Sequence, residues 1–360
     1  MKLLIQPGAG IGPILKAIHK AKKSIEIVIF RFDRKEVEKA LEDAVERGVF
    51  VHALIAYTNR GGEEHLRALE MRLLERGVTV ARTADDLVRY HGKMMIADRK
   101  ELHLLGFNWT MLDIERSRSF GIITRNRELV AEAVKLFEAD TKRQPYKSGS
   151  DKFVVSPVNS REVLSDFIAG AKRQILIYDV KVADRQMLRL LEERRKAGVE
   201  VRILGGTSRR APQIDCRPYE RMRLHVRTII RDGAQAFLGS QSLKQLELDG
   251  RREIGMITRD RSIVAEMARV FEEDWKASDA EFEKTRVLTA ALPARKAKKK
   301  IVKAIEPVLG KVVEKVVSTR AKGLDPEEIH EQAKEVVKQA VKEAVKESLE
   351  TLVEPQLAPG

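Results

Sequence analysis

Two stretches of the sequence repeat one order of histidine, cation, aspartate and small polar residues. The members are His91, Lys93, Asp98 and Asn108 in the first stretch, and His225, Arg227, Asp232, Ser240 and Ser242 in the second. In both, the cation stands two residues after the histidine and the aspartate seven residues after it. Side chains two residues apart share one face of a β-strand, so each histidine would lie beside its cation. Such pairs suit acid–base or nucleophilic chemistry on an anionic group.

This spacing resembles the phospholipase D superfamily, whose hallmark is two copies of H-x-K-x4-D-x6-G-S-x-N. The resemblance covers about residues 10–280. The sequence departs from the hallmark in both copies: Leu105 and Gly106 replace the first Gly-Ser, Arg227 replaces the second lysine, and Ser242 replaces the second asparagine. Arginine keeps the positive charge of lysine but changes the donor geometry.

The resemblance implies one site at the interface of the two repeats, working without a metal ion or another cofactor. One imidazole attacks phosphorus and forms a covalent phosphohistidine. The other protonates the leaving alcohol and then activates water or an acceptor alcohol. We assign His91 as the nucleophile and His225 as the acid, with exchanged roles as the alternative. The groups expected to bind the non-bridging oxygens are Lys93, Arg227, Asn108 and Ser242.

Acidic residues are expected to support this site. Asp98 and Asp232 are expected to orient it rather than to contact phosphate. Glu253 is expected to hold His225 through a hydrogen bond, and its counterpart in the first repeat is Ser119.

An internal repeat must position the two motifs. The matching segments are 21–27 with 171–177, 47–54 with 197–204, and 121–125 with 255–259. The offset falls from 150 to 134 residues, so the first repeat carries about 16 extra residues before its motif. We place these in a helix over residues 63–76.

Each repeat alternates apolar strands with amphipathic helices. The predicted elements are strands 25–30 and 175–178 and helices 37–47 and 186–197. Gly48 and Gly198 follow the two helices, at the position where glycine commonly ends a helix. The alternation predicts an α/β fold with a largely parallel sheet in each repeat. The two repeats would be related by a pseudo-twofold axis.

The chain divides into three predicted parts. Residues 1–147 form the first phospholipase D-like repeat, residues 148–288 the second, and residues 289–360 a basic helical tail. The tail opens with a basic run at 295–300 and has two apolar helical stripes. These stripes predict self-association or packing on the body of the protein; a basic arm that contacts membrane or nucleic acid is the alternative.

Composition limits the class of protein. Of the 360 residues, 43% are hydrophobic and 34% charged, which excludes disorder throughout. The single cysteine, Cys216, allows no internal disulfide and indicates a reducing compartment. The apolar runs are too short for a signal peptide or a membrane span. We therefore expect a soluble cytoplasmic protein, with peripheral contact to the inner face of the membrane as a further expectation.

The net charge of +14 favours an anionic partner. Arginines crowd the segment around the second motif, at positions Arg209, Arg210, Arg217, Arg221, Arg223, Arg227 and Arg231. The leading hypothesis is a phosphodiesterase or phosphatidyltransferase that acts on phospholipid head groups, resembling bacterial cardiolipin synthases. The alternatives are a nuclease of the same superfamily and a catalytically degenerate scaffold that binds phosphate or nucleic acid.

Overall fold

The computed structural model describes residues 1–29, 31–57, 63–84, 86–87, 89–208 and 214–290. Met1–Ser278 forms one compact unit and Asp279–Gly360 a second. Of the second unit, only the end of the last helix is described. The predicted tail helices, the basic run at 295–300, and Arg209 and Arg210 lie outside the described residues.

The first repeat contains eight strands and five helices within the described residues. They are β1 (Lys2–Gln6), α1 (Gly12–Lys20), β2 (Ser24–Ile29), α2 (Lys35–Glu46), β3 (Phe50–Ile55), α3 (Glu63–Glu75), β4 (Thr79–Arg82), β5 (Arg89–Tyr90), β6 (Met94–Ala97), β7 (Glu101–Leu105), α4 (Met111–Glu115), β8 (Ser117–Thr124) and α5 (Arg127–Thr141).

The second repeat has nearly the same order of elements. They are β9 (Phe153–Val155), α6 (Ser160–Ala169), β10 (Gln174–Val182), α7 (Arg185–Lys196), β11 (Glu200–Thr207), β12 (Asp215–Arg217), β13 (Arg223–Leu224), β14 (Thr228–Arg231), β15 (Gln235–Gly239), α8 (Gln245–Asp249), β16 (Arg251–Arg252), β17 (Ile254–Thr258) and α9 (Arg261–Ala290). Within the described residues, α3 has no counterpart in the second repeat, and β16 and β17 together correspond to β8. The extra residues of the first repeat therefore form α3, as predicted.

The helix ends match the sequence prediction closely. Gly48 and Gly198 follow α2 and α7 with φ of 80° and 86°, a left-handed conformation that glycine adopts without steric cost. α2 buries Val37, Leu41 and Ala44 on the face that packs against the sheet.

Each repeat is built on one mixed sheet. The strand orders are β1-β8-β7-β6-β2-β3-β4 and β12-β11-β10-β14-β15-β17-β9. Only β2, β3 and β4, and likewise β10, β11 and β12, pair in parallel; the other neighbours along these orders are antiparallel. The prediction of a largely parallel sheet is therefore wrong. The strands that carry the motifs follow one another through short connections, and a parallel crossover needs a dozen or more residues.

The two repeats exchange short strands across their interface. β5 pairs in parallel with β16, with Tyr90 opposite Arg252. β13 pairs in parallel with β8, with Leu224 opposite Arg118. Because these residues are related by the 134-residue offset, the two contacts are equivalent under the pseudo-twofold relation. The predicted pair of α/β repeats is confirmed.

Candidate active site

The exchanged strands bring His91 of the first repeat against Glu253 of the second. His91 directly follows β5, and Glu253 directly follows its partner strand β16. His91 Nδ1 lies 3.0 Å from Glu253 Oε2, and the Glu253 side chain is fully buried. Glu253 was expected to hold His225, and that prediction is wrong. His225 follows β13, whose partner β8 places Ser119 at the corresponding position.

Each motif cation lies beside its own histidine. Lys93 Nζ lies 3.2 Å from His91 Nε2 and donates a hydrogen bond to the His91 carbonyl at 2.7 Å. Arg227 Nη1 donates to the His225 carbonyl, also at 2.7 Å. Lysine and arginine thus occupy equivalent places, and the longer guanidinium makes the same backbone contact as the ammonium.

His225 faces an aspartate that sequence reasoning missed. Asp113, on α4, places Oδ2 3.6 Å from His225 Nδ1, which is longer than a hydrogen bond. The same carboxylate accepts the Asn108 side-chain amide at 2.7 Å and pairs with Arg223 at 2.6 Å. The sequence does contain a signal for this residue, because Asp113 of the first repeat and Glu247 of the second are acidic residues at equivalent positions.

The motif aspartates lie away from the histidines. Asp98 accepts hydrogen bonds from the backbone amides of residues 22–24, at the start of β2. Asp232 does the same for residues 172–174, at the start of β10. Although partial burial opposes them, these backbone hydrogen bonds lower the pKa of both carboxyls. The two aspartates therefore anchor the ends of the central strands.

The two motif serines have partners within the protein. The Ser240 hydroxyl accepts the backbone amide of Ile254 at 3.0 Å. The Ser242 hydroxyl makes a very short hydrogen bond to Asp179, and the Ser242 amide donates to Glu247 at 2.8 Å. Asp179 was not anticipated, since the equivalent position of the first repeat is Ile29. The Ser242 side chain is therefore bound to the buried carboxylate of Asp179, whereas the side chain of Asn108, at the equivalent position, is bound to Asp113.

Burial and positive charge together control protonation at the site. Burial, followed by repulsion from Lys93 and Arg89, holds the pKa of His91 well below its usual range. Burial likewise lowers the pKa of His225 well below its usual range, although Asp113 opposes the shift. Burial lowers the pKa of Lys93 to about 7, against the opposing charge of Glu253. At neutral pH both imidazoles are therefore neutral without substrate, and His91 has a lone pair to use as a nucleophile.

Anion binding at the site should lose strength as Lys93 loses its proton. Sulfate remains a dianion throughout the neutral and alkaline range, so its affinity reports the charge of the protein. We expect the sulfate dissociation constant, measured calorimetrically, to rise by up to about tenfold per pH unit above pH 7. Lys93→Arg stays cationic and should show a flat profile over that range. Identical profiles for the two proteins would contradict this assignment of the titrating group.

Two buried ion pairs lock the repeats together beside the histidines. Arg118 on β8 binds Asp274 on α9 through hydrogen bonds of 2.8 and 3.0 Å. The equivalent pair, Arg252 and Asp140, joins β16 to α5 at 3.0 Å. In each pair the arginine belongs to one repeat and the aspartate to the other.

The same arginines hold the backbone of the motifs. The Arg252 carbonyl accepts the His91 amide at 2.8 Å, and the Arg118 carbonyl accepts the His225 amide at 3.0 Å. The position of each histidine therefore depends on the packing of the other repeat.

This geometry has a counterpart among known families. The family model described as cardiolipin synthase, phospholipase D-like domain, matches residues 14–141 and 164–275, one stretch in each repeat. The chain belongs to this family. The resemblance inferred from the two motifs is confirmed.

Curated relatives of the chain include the mitochondrial cardiolipin hydrolases of Danio rerio and Mus musculus. The first is 28% identical over 130 residues, which are 35% of this chain and 56% of that protein. The second is 26% identical over 130 residues, which are 36% of this chain and 57% of that protein. The chain thus matches little more than half the length of these relatives.

Solved structures share the fold of the chain. Polyphosphate kinase from Porphyromonas gingivalis has a TM-score of 0.64 at 17% identity and covers 76% of this chain and 50% of its own. Phosphatidylserine synthase from Haemophilus influenzae has a TM-score of 0.58 at 13% identity and covers 77% of this chain and 86% of its own. At these identities the likeness concerns the fold alone. Within the described part of the chain, every helix is too short or too polar to span a bilayer.

Proposed function

We propose that this chain cleaves or transfers phosphodiesters without a metal ion, through a covalent phosphohistidine on His91. The observation that carries the proposal is the contact of His91 Nδ1 with Glu253 at 3.0 Å, beside Lys93. A proton held on Nδ1 by the carboxylate leaves the lone pair on Nε2. Nε2 attacks phosphorus, the bond from phosphorus to the leaving oxygen breaks, and His225 donates a proton to that oxygen.

The second step reverses these roles. His225, now neutral, takes a proton from water or an acceptor alcohol, whose oxygen bonds to phosphorus and displaces His91 Nε2. Hydrolysis and transfer therefore differ only in which hydroxyl enters the site. The alternative, with His225 as nucleophile, is weaker because Asp113 lies 3.6 Å from His225 and is already bound to Arg223.

The cations supply the remaining chemistry. Lys93 and Arg227 would bind the non-bridging oxygens, whose negative charge is stabilised most when the donors are already in place. Burial is the main cause of the low pKa of His225 in the free protein, and the positive charges of Arg227 and Lys93 lower it further. A bound phosphodiester anion offsets these charges, so the pKa of His225 rises in the complex, where a proton donor is needed.

We further propose phospholipids as the substrates. The family description names cardiolipin synthase and the curated relatives are named cardiolipin hydrolases, which supports a lipid head group. The net charge of +14 suits anionic lipid. Peripheral contact with the inner face of a membrane, through the basic tail of residues 289–360, belongs to the same proposal.

Turnover of phosphatidylglycerol vesicles in excess EDTA tests this function. We expect the wild-type chain to form cardiolipin or phosphatidic acid, and His91→Ala to form neither. His19→Ala, at an exposed histidine on α1, is the matched control and should keep full activity. Cleavage of DNA instead of lipid would overturn the substrate class in favour of a nuclease. Binding of phosphodiesters without turnover of any of them would favour the degenerate scaffold.

A further inference from the structure

A basic groove runs across the first repeat where β2 begins. One cavity of about 740 Å³ lies between α1, β1 and the turn from β6 to β7, and a second of about 770 Å³ adjoins it along α5. Lys100 and Arg125 line both cavities, so the two lie side by side. The further cations of this groove are Lys2, Lys16, Lys20, Arg99, Arg127 and Lys135.

The acidic residues in the groove already have partners. Asp98 accepts three backbone amides at the start of β2. Glu101 contacts His103 at 2.9 Å and Arg125 at 2.8 Å, and Glu138 pairs with Arg99 at 2.7 Å. By contrast, Lys16, Lys20 and Lys100 are exposed and form no ion pair with any described residue. The groove thus carries positive charge that the protein does not neutralise.

The second repeat shows that the fold does not require this charge. The positions equivalent to Lys16, Lys20 and Lys100 carry Asp166, Gly170 and Ala234. The same helix, strand and turn therefore form without the three lysines. At these three positions the positive charge belongs to the first repeat alone, and the packing of the fold does not account for it.

The groove is separate from the catalytic histidines. Lys93, which lies beside His91, immediately precedes β6, and Asp98, which lines the groove, immediately follows it. The histidines and the groove therefore lie at opposite ends of this strand. Five residues of extended chain span about 16 Å. Neither His91 nor His225 lines either of the two cavities.

We propose that this groove binds the sugar–phosphate backbone of a nucleic-acid strand. Its two adjacent cavities present a concave surface lined by eight cations, which suits a linear polyanion better than a flat bilayer. Among the described residues that line it there is no Phe, Tyr or Trp, so contacts are made to phosphates rather than by stacking on bases. A membrane-binding surface would present apolar anchors, and Met1 is the one large exposed apolar side chain in this lining. The inference concerns binding and does not rest on the proposed lipid reaction.

Fluorescence anisotropy with a fluorescein-labelled single-stranded oligonucleotide tests the proposal. The groove variant is Lys16→Ala/Lys20→Ala/Lys100→Ala of the full chain. The control variant, Lys39→Ala/Lys172→Ala/Lys196→Ala, removes three exposed lysines outside the groove. Circular dichroism and the urea midpoint verify that both variants fold.

We expect the groove variant to bind the oligonucleotide at least about tenfold more weakly, and the control variant to bind like the wild type. The slope of log affinity against log salt should fall by about 2, because each lost phosphate contact removes about 0.7. Equal affinities for the two variants, or no binding by the wild type, would overturn the proposal. Loss of binding to phosphatidylglycerol vesicles with unchanged oligonucleotide binding would overturn it in favour of a membrane surface.

Discussion

Replacing Glu253 with glutamine is expected to lower kcat for phosphodiester turnover by roughly 10²–10⁴-fold and to leave KM nearly unchanged. An amide in place of the carboxylate no longer fixes the Nδ1 proton of His91, so the lone pair on Nε2 is lost in part of the population. Glu253 is fully buried and contacts Nδ1, on the side of the ring away from Nε2, so substrate binding should survive. Steady-state kinetics on a chromogenic phosphodiester measure both constants.

The pseudo-twofold relation provides the matched control for this prediction. Ser119 occupies the position equivalent to Glu253, beside His225, and its hydroxyl is buried. Ser119→Ala should change kcat by less than about twofold. Glu253→Asp keeps the carboxylate and should recover part of the lost activity. A loss of similar size in Ser119→Ala, or a loss confined to KM, would contradict the role assigned to Glu253.

Replacing Asp274 with alanine should destabilise the protein by about 3–5 kcal/mol. The change leaves the Arg118 guanidinium buried without its carboxylate and also removes the nearer of two acceptors of the Tyr178 hydroxyl, at 2.6 Å. The free energy of unfolding, measured with urea on the full chain, reports this loss.

The neighbouring residue on α9, Glu273, provides a control in which an exposed ion pair is removed instead of a buried one. Glu273 pairs with Arg269 on the exposed face of the helix. Glu273→Ala should leave the urea midpoint unchanged, because exposed ion pairs add little to stability. If Asp274→Ala lowered the free energy of unfolding by less than about 1 kcal/mol, this ion pair would not be what holds the two repeats together.

Local patterns predicted much of the fold. The repeat offsets located α3, and the glycines after α2 and α7 marked the ends of both helices. These features depend on residues close together in the chain, where propensity and periodicity act directly. By contrast, Asp98 and Asp232, which were expected to orient the site, bind the backbone at the starts of β2 and β10, away from the histidines.

The contacts between the repeats could not be predicted in this way. Glu253 is far from His91 in sequence, and only the pairing of β5 with β16 brings them together. The sequence pattern favours a contact of Glu253 with the histidine of its own repeat, because nothing local reveals an exchanged strand. Asp179 had no signal either, since its counterpart, Ile29, is apolar.

The two histidines have different surroundings, in part because of the substitutions in the motifs. His91 has lysine beside it and a carboxylate at hydrogen-bonding distance, whereas His225 has arginine and a more distant aspartate. A nucleophile must be held in one tautomer and orientation, while a proton donor must be able to change its protonation state. The difference between the repeats therefore matches a division of labour between the two histidines.

The phosphohistidine on His91 can be sought directly as a covalent intermediate in His225→Ala. A phosphodiester with a nitrophenol leaving group needs no proton donor for the first step, and without His225 the intermediate should not be hydrolysed quickly. Peptide mass spectrometry under alkaline conditions, which preserve phosphohistidine, should then find the phosphoryl adduct on His91 and none in His91→Ala/His225→Ala. An adduct on another residue, or turnover that stops when EDTA is added, would contradict a metal-independent reaction through His91.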